Sequence, residues 1–489
     1  MDKNRILATD EEGESKDWIN ELPDCILVSI FSLLTLKDVV VTTMVSRPWR
    51  RLGLQPILTR VNLEFDLANI FGINVRDDDF EDDLYAEDFS KQVFVRWVNK
   101  VLQLHHGNKV DSFKVEFFFN RESTTILDEW IRFAITKGAQ VLDLHLYSCT
   151  YSLPDIEERE TFYDFPCWLL SELNPSPLKK LSLARCLLRP PPDFDRFNQL
   201  TTLYLYKAVV DNISLARLLS DCLLLESLTL DGCTGATDLI VGGPSLRLND
   251  LRVVNCSDIE RVDIFLPKVA YLELVDGRPN LHLSIKPPHP ARIYYDPLDY
   301  NDLWDTLTQF GSFLGLETLG MRVATGRIPQ NLPMFRDLKK LDLHLFNGAD
   351  LVGPLNLLNA APRLEELVVT LLVDNFSENQ QQTESFSRIK HDHLRKVKLQ
   401  AFRSTPCEME FAISILQITI KLEIMEIDPF GKLYMGGGEW WDVLGLNVAY
   451  LSNSYWEEKG RSLVQEKLKE VKTDAQIINS LNLGFTLCI

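Results

Sequence analysis

From residue 110 onward the apolar positions follow one recurring pattern, apolar-x-x-apolar-x-apolar. It opens at Val110 (VDSFKV), Val141 (VLDLHL), Leu178 (LKKLSL), Leu200 (LTTLYL), Leu225 (LESLTL), Leu248 (LNDLRV) and Val269 (VAYLEL). A degenerate copy, PARIYY, starts at Pro290. The pattern then returns at Leu316 (LETLGM), Leu338 (LKKLDL), Leu364 (LEELVV) and Leu394 (LRKVKL). Most spacings lie in the low to mid twenties, a period that marks stacked one-strand repeats. The apolar-x-apolar core predicts a short strand whose alternate side chains point inward. One such strand cannot bury its inner face alone, so stacking builds one continuous core and a curved parallel sheet.

The same offset explains four cysteines. Cys149, Cys186, Cys233 and Cys256 each follow the last apolar strand residue by three positions, as in LSLARC and LTLDGC. This is the buried Asn/Cys turn position of a leucine-rich repeat, where successive coils form a ladder and not a metal cluster. Residues between the inward positions face the open, concave side: Ser182, Tyr204, Thr229, Arg252, Glu273, Tyr294, Asp342 and Lys398, with Tyr206, Asp231 and His344 just beyond. That stripe is mixed and partly aromatic, as protein-binding surfaces are. Tyr204, Tyr206, Thr229, Asp231, Arg252, Glu273, Asp342 and His344 are the candidate target-binding residues. Pro- and Gly-rich connectors (NPSP, RPPPD, VGGP, KPPHP) read as turns between coils.

The start of the chain has a different periodicity. Pro23 precedes an apolar run from Asp24 to Leu34 without internal Gly or Pro, and Pro is accommodated in a helix's first turn. Leu22, Ile26, Ile30 and Leu33 fall along one side of this helix; Leu27, Phe31 and Leu34 fall along another. A helix apolar nearly all round is buried on more than one side. Thr35-Leu36-Lys37-Asp38 has the form of a capping box before a second helix, and Ser46 and Pro48 begin a third that carries Trp49. A unit of three short helices is too small to bury this surface by itself. Either the rest of the chain covers the first helix or a partner protein does.

Net charge and candidate chemistry narrow the function. The formal charge of -19 disfavours a nucleic-acid partner, because no dense basic run offsets it. The N-terminus lacks an apolar signal region, and no stretch approaches the roughly 18 apolar residues of a membrane span, so no membrane partner is expected. The expected location is nucleus, cytoplasm or both. The nine cysteines include no CxxC pair, which argues against a disulfide framework or a zinc ribbon. DDDFEDDLYAED at 77–88 lacks the glycine of a calcium loop and reads as a solvated loop. His391-Asp392-His393 offers no third metal ligand nearby, and Gly436-Gly437-Gly438 is a turn before Trp440-Trp441, not a phosphate loop. No catalytic constellation, metal site or cofactor site is expected.

The N-terminal segment resembles an F-box: Leu22-Pro23, Ile26-Leu27, Ile30-Phe31, Leu36-Lys37-Asp38, then Ser46, Trp49 and Arg50. The segment 393–427 resembles the FBD region of plant F-box proteins, on His393 to Val397, Glu408, Glu410, Phe411, Ala412, Leu422, Glu423 and Met425. The resemblance is to the plant-type F-box/FBD/leucine-rich-repeat family and spans roughly 17 to 460. It implies an α/β fold: a short three-helix F-box followed by a curved leucine-rich-repeat solenoid with a parallel sheet. The expected domains are an acidic disordered tail (1–16), the F-box (17–60), the solenoid (61–385), an FBD-like region completing it (386–460), and a C-terminal helix and cap (461–489). The resemblance further implies a non-enzymatic substrate receptor of a Skp–cullin–F-box ubiquitin ligase. Leu22, Pro23, Ile26, Leu27, Ile30 and Leu33 would dock a Skp-type adaptor, and through it a cullin, while the repeats hold an unknown target protein. The alternatives are a non-catalytic interaction scaffold and a small-molecule-gated receptor.

Overall fold

Alternation of apolar and polar residues is converted into strands wherever the repeat pattern occurs. In the computed structural model every one of the repeat cores named above is a strand. The structure describes residues 22–34, 38, 49, 59–71, 87–146, 159–172, 176–192, 194–243, 246–265, 269–277, 282–286, 290–297, 303–323, 328, 331–346, 351–372, 390–442, 460–469, 471 and 475–479. The chain divides into two compact units, one of residues 1–117 and 136–139, the other of 118–135 and 140–489.

The first unit contains the helix Asp24–Leu33, the strand Asn62–Phe65 paired in parallel with Ser112–Phe117, and the long helix Glu87–Leu104. Its core is aromatic. Phe94 of the long helix stacks on Phe117 at 4.2 Å between ring centroids, and Phe65 meets Phe113 edge-on at 5.7 Å. The second and third helices expected of an F-box lie outside the described residues, except for Asp38 and Trp49, both helical. The acidic run at 77–86 and the acidic tail also lie outside them.

In the second unit the strands Val141–Leu146, Lys180–Ala184, Thr202–Tyr206, Ser227–Asp231, Asp250–Val254, Tyr271–Gly277, Arg292–Pro297, Thr318–Val323, Lys340–Phe346, Glu366–Leu372, Lys396–Gln400, Ile424–Ile427 and Gln476–Asn479 pair in chain order. Each pairing is parallel. One register runs through the ladder, so Leu142, Leu181, Leu203, Leu228, Leu251, Leu272, Ile293, Leu319, Leu341 and Leu367 form a single inward column, none more than 1% exposed. A fully buried side chain of this size contributes about 1.5–3 kcal/mol, and only the neighbouring coils provide that burial.

The turn after each strand repeats as faithfully as the strand. Arg185, Lys207, Gly232 and Asn255 occupy the left-handed region, with φ of 56°, 47°, 61° and 52°. Each donates its N–H to the next coil: Arg185 to the Tyr206 carbonyl at 2.9 Å, Gly232 to Val254 at 2.8 Å and Asn255 to Val275 at 3.0 Å. The turn directs the following residue inward. Cys186, Cys233 and Cys256 are buried there, and the thiols of Cys233 and Cys256 reach back to the Leu205 and Leu230 carbonyls at 3.3 and 3.4 Å. The cysteine ladder expected from the offset is therefore present, with Cys149 outside the described residues.

Two features go beyond the sequence reading. A second, three-stranded parallel sheet forms from Asp238–Gly242, Arg261–Phe265 and His282–Ile285. The strand Gln476–Asn479 extends the main ladder beyond Ile424–Ile427. Within the FBD-like segment a helix spans Pro406–Ile418, with Phe411, Ile415 and Leu416 buried. Thr405 and Glu408 close its first turn as a reciprocal capping box. The charged helix expected near the C-terminus covers Arg461–Lys469 and buries Val464 and Leu468.

Leu251→Ala in the inward column should lower unfolding stability by about 2–5 kcal/mol. Ile240→Ala, on the half-exposed side of the second sheet, should change it by less than about 0.5 kcal/mol. Denaturant titration followed by circular dichroism compares the two.

Candidate functional site

Two surfaces carry the candidate residues, one in each unit. On the helix Asp24–Leu33 the two apolar sides separate as the spacing predicts. Ile26 and Ile30 are 45% and 40% exposed, Pro23 is exposed and Leu22 is half-buried. Leu27 and Phe31 are buried, and Phe31 meets the Trp49 ring edge-on at 5.6 Å. Leu27 thus belongs to the inner face and not to the accessible one, a correction to its placement among docking residues. The Leu33 side chain lies outside the described ones. What remains outside is an exposed apolar ridge of Pro23, Ile26 and Ile30.

On the second unit the strand register places the remaining candidates in two neighbouring columns of one sheet face. The first runs Asp143, Ser182, Tyr204, Thr229, Arg252, Glu273, Tyr294, Gly320, Asp342, Val368 and Lys398. The second contains His145, Tyr206, Asp231, Val254, Val275, Asp296, Arg322 and His344. At the N-terminal end this face is half-open: Tyr204 and Tyr206 stack at 6.4 Å, and His145 lies 6.4 Å from Tyr204.

Further along, the face is covered by the chain itself. An antiparallel hairpin of Lys432–Gly436 and Glu439–Asp442 lies against it. The Tyr434 hydroxyl donates to Glu273 Oε2 at 2.9 Å, Tyr271 donates to the same oxygen at 3.0 Å, and the Gly437 N–H donates to Oε1 at 2.6 Å. Arg252 lies 3.8 Å from the carboxylate. A fully buried carboxylate is thereby surrounded by donors, the arrangement that makes burial of a charge tolerable. Burial pushes the Tyr434 hydroxyl up to about 12, so it stays a donor. Its carbonyl accepts from Arg322 Nη2 at 3.1 Å, while Arg322 Nη1 pairs with the buried Asp296 at 2.7 Å. The Tyr434 ring packs on Val254, Val275 and Tyr294. Gly436 has φ 95°, and a Cβ there would approach Val254 Cγ1 to 3.0 Å and Val275 Cγ2 to 3.2 Å, so a larger residue is excluded twice over.

Of the expected target-binding residues, Tyr204, Tyr206, Asp231, Arg252 and Asp342 are partly exposed. Glu273, His344 and Thr229 are buried, which corrects their reading as open surface. Asp296, Arg322, Tyr434 and Trp440 were missed. The sequence signal was the three glycines flanked by Tyr434 and Trp440, which marks a tight hairpin. His391 is structural: one ring nitrogen bonds the Ala361 carbonyl at 3.0 Å and the other accepts the Leu394 N–H at 3.0 Å. Among the described residues no three His, Cys, Asp or Glu side chains gather as a metal site, and no helix is long and apolar enough to cross a membrane.

Comparison with known proteins agrees with this geometry. The family profile described as "At1g61320/AtMIF1, LRR domain" matches residues 101–435, and the F-box-like profile matches 19–62. The chain belongs to the F-box/FBD/leucine-rich-repeat family. It is 26% identical to F-box/FBD/LRR-repeat protein At1g13570 of Arabidopsis thaliana, covering 85% of this chain and 92% of that protein. F-box/LRR-repeat protein 13 of the same plant is 24% identical, over 76% of this chain and 80% of its own. The ridge of Pro23, Ile26 and Ile30 therefore lies in the F-box-like segment, and the hairpin's first strand ends near the close of the repeat match.

His344 and the neighbouring Asp342 are both shifted toward their neutral forms. Burial pulls His344 down to about 3, with Arg322 adding to the effect, and burial pushes Asp342 up to about 6. The signs are opposed. A depressed histidine contributes stability above its ordinary 6.5 that is lost as pH falls; a raised aspartate contributes stability at low pH that is lost as pH rises through about 6. Between pH 7 and 5 the two offset one another. Relative to wild type, His344→Phe should gain stability as pH falls over that range, and Asp342→Asn should lose it, each by about 1 kcal/mol. Thermal melts at pH 7 and pH 5 read the difference.

Proposed function

We propose that this protein is the substrate-recognition subunit of a Skp–cullin–F-box ubiquitin ligase. The observation that carries the reading is the ridge of Pro23, Ile26 and Ile30. It is solvent-exposed, apolar, and presented by a helix whose opposite side is buried through Leu27 and Phe31. Such a ridge gains about 25 cal/mol for each Å² removed from water, and a Skp-type adaptor is the partner that membership of the family implies. The cullin joins through that adaptor.

The repeats supply the second half of the function. Their sheet face presents paired tyrosines, an acidic column residue and arginines, a combination suited to a protein target. The chain does no covalent chemistry itself. It raises the effective concentration of the target beside the ubiquitin-charged enzyme, a gain that depends on tether geometry and not on a new catalytic group. The chemistry of the face defines the class of target.

Co-purification with a Skp-type adaptor tests the reading. Ile26→Asp/Ile30→Asp should weaken adaptor binding about 100-fold or more while leaving the fold intact, since both side chains already face water. Leu27→Ala should instead lower the stability of the first unit, because its side chain is inside. Undiminished adaptor binding by the double aspartate variant would rule the ridge out.

A further inference from the structure

The hairpin Lys432–Asp442 makes the contacts a bound peptide would make. Side chains of the sheet face read its main chain: Arg322 donates to the Tyr434 carbonyl and Glu273 accepts the Gly437 N–H. One aromatic side chain, Tyr434, fills a slot. Tyr294 meets it edge-on at 4.5 Å, Val254 and Val275 pack against it, and Glu273 receives its hydroxyl. The glycine two residues later is required by the close approach to Val254 and Val275. Main-chain reading plus one anchored aromatic is how extended segments are recognised by grooves and sheet faces.

The covered state is also incompletely satisfied. Among the described residues neither ring nitrogen of His344, 1% exposed, makes a hydrogen bond: Nε2 stands 3.6 Å from Asp342 Oδ1, beyond hydrogen-bond reach, and Arg322 Nε is likewise unbonded. The cover over His344 includes the hairpin, through Trp440 at 6.4 Å, and Tyr294 also lies beside it at 6.3 Å. A cover serving stability alone would pair such groups or replace them with apolar ones. Trp440 itself is half-exposed, so the outer edge of the hairpin is lightly held.

We propose that the hairpin is a built-in stand-in for the target. The face of Arg252, Glu273, Tyr294 and Arg322 is the docking surface, the hairpin occupies it in the free protein, and a target displaces the hairpin. The target's matching segment is extended and carries a tyrosine two residues before a glycine, so that its hydroxyl reaches Glu273 and its carbonyl reaches Arg322. This rests on the reading of the sheet face as the target-binding surface.

The test uses the full chain and a synthetic peptide of the sequence KLYMGGGEWWD, labelled at its N-terminus and followed by fluorescence anisotropy. In the wild type the tethered hairpin competes at an effective concentration of about 1 mM, so the added peptide binds weakly. Tyr434→Ala/Trp440→Ala frees the face, and the peptide should then bind about tenfold or more tighter. Adding Glu273→Gln to that variant should abolish the gain, as should a phenylalanine in place of the peptide's tyrosine. If the double variant loses its far-UV dichroism or its cooperative melt, Gly436→Ala provides the same comparison, releasing the hairpin by steric conflict with Val254 and Val275 while both aromatic residues stay in the sequence. A folded, hairpin-released variant that binds the peptide no better than wild type overturns the proposal, and so does a gain indifferent to Glu273→Gln. Adaptor co-purification measured on the same variants should be unchanged, which separates failure of the stand-in from failure of the ligase reading.

Discussion

No single coil of this protein buries its own leucines. A strand such as Leu251-Arg252-Val253 has an apolar inner side that is covered only when a neighbour lies about 4.8 Å away on each flank. That requirement aligns the whole ladder in one register. It also has a consequence on the other face. Side chains contributed by segments distant in sequence, from Asp143 to Lys398, are forced into straight columns. The chemistry of that face is therefore a by-product of core packing. The core demands alternation, and alternation leaves every second residue free to vary toward a partner.

The columns differ in how their polar groups are satisfied. Glu273 is fully buried and yet meets two hydroxyls, one backbone N–H and a nearby guanidinium. His344, three strands further along the ladder, is as deeply buried, and among the described residues neither of its nitrogens makes a hydrogen bond, Nε2 standing 3.6 Å from Asp342 Oδ1. The first arrangement is a finished hydrogen-bond site; the second carries an uncompensated desolvation cost. Both meet the same hairpin, Glu273 through Tyr434 and His344 through Trp440, so the covered state combines a strong anchor with a source of strain.

Much of this was legible in the sequence because it is periodic. The repeat predicts the main-ladder strands from Ser112–Phe117 to Lys396–Gln400, the cysteine turn and most of the first column, and helical spacing separates Ile26 and Ile30 from Leu27 and Phe31. Leu27 was still grouped with the docking residues, since motif membership does not distinguish the two sides of a helix. The hairpin's position was not legible. Tyr434 and Glu273 are 161 residues apart, and one long-range contact leaves no periodic trace. The second sheet did leave one: Leu239, Val262 and Leu283 recur at nearly the repeat spacing, and Ile259-x-x-Val262-x-Ile264 has the same apolar pattern as the main strands. The buried state of Glu273 followed from neither pattern nor composition, because its cover comes from another part of the chain.

The account's central claim is that an exposed apolar ridge on the first helix joins a recognition solenoid to a ligase. Titration calorimetry of the purified chain with a purified Skp-type adaptor at several temperatures addresses it most directly. The account predicts a one-to-one complex whose binding enthalpy becomes more favourable with temperature, the negative heat-capacity change of apolar burial. The absence of any complex at concentrations of about 10 μM, with both proteins folded, would contradict it.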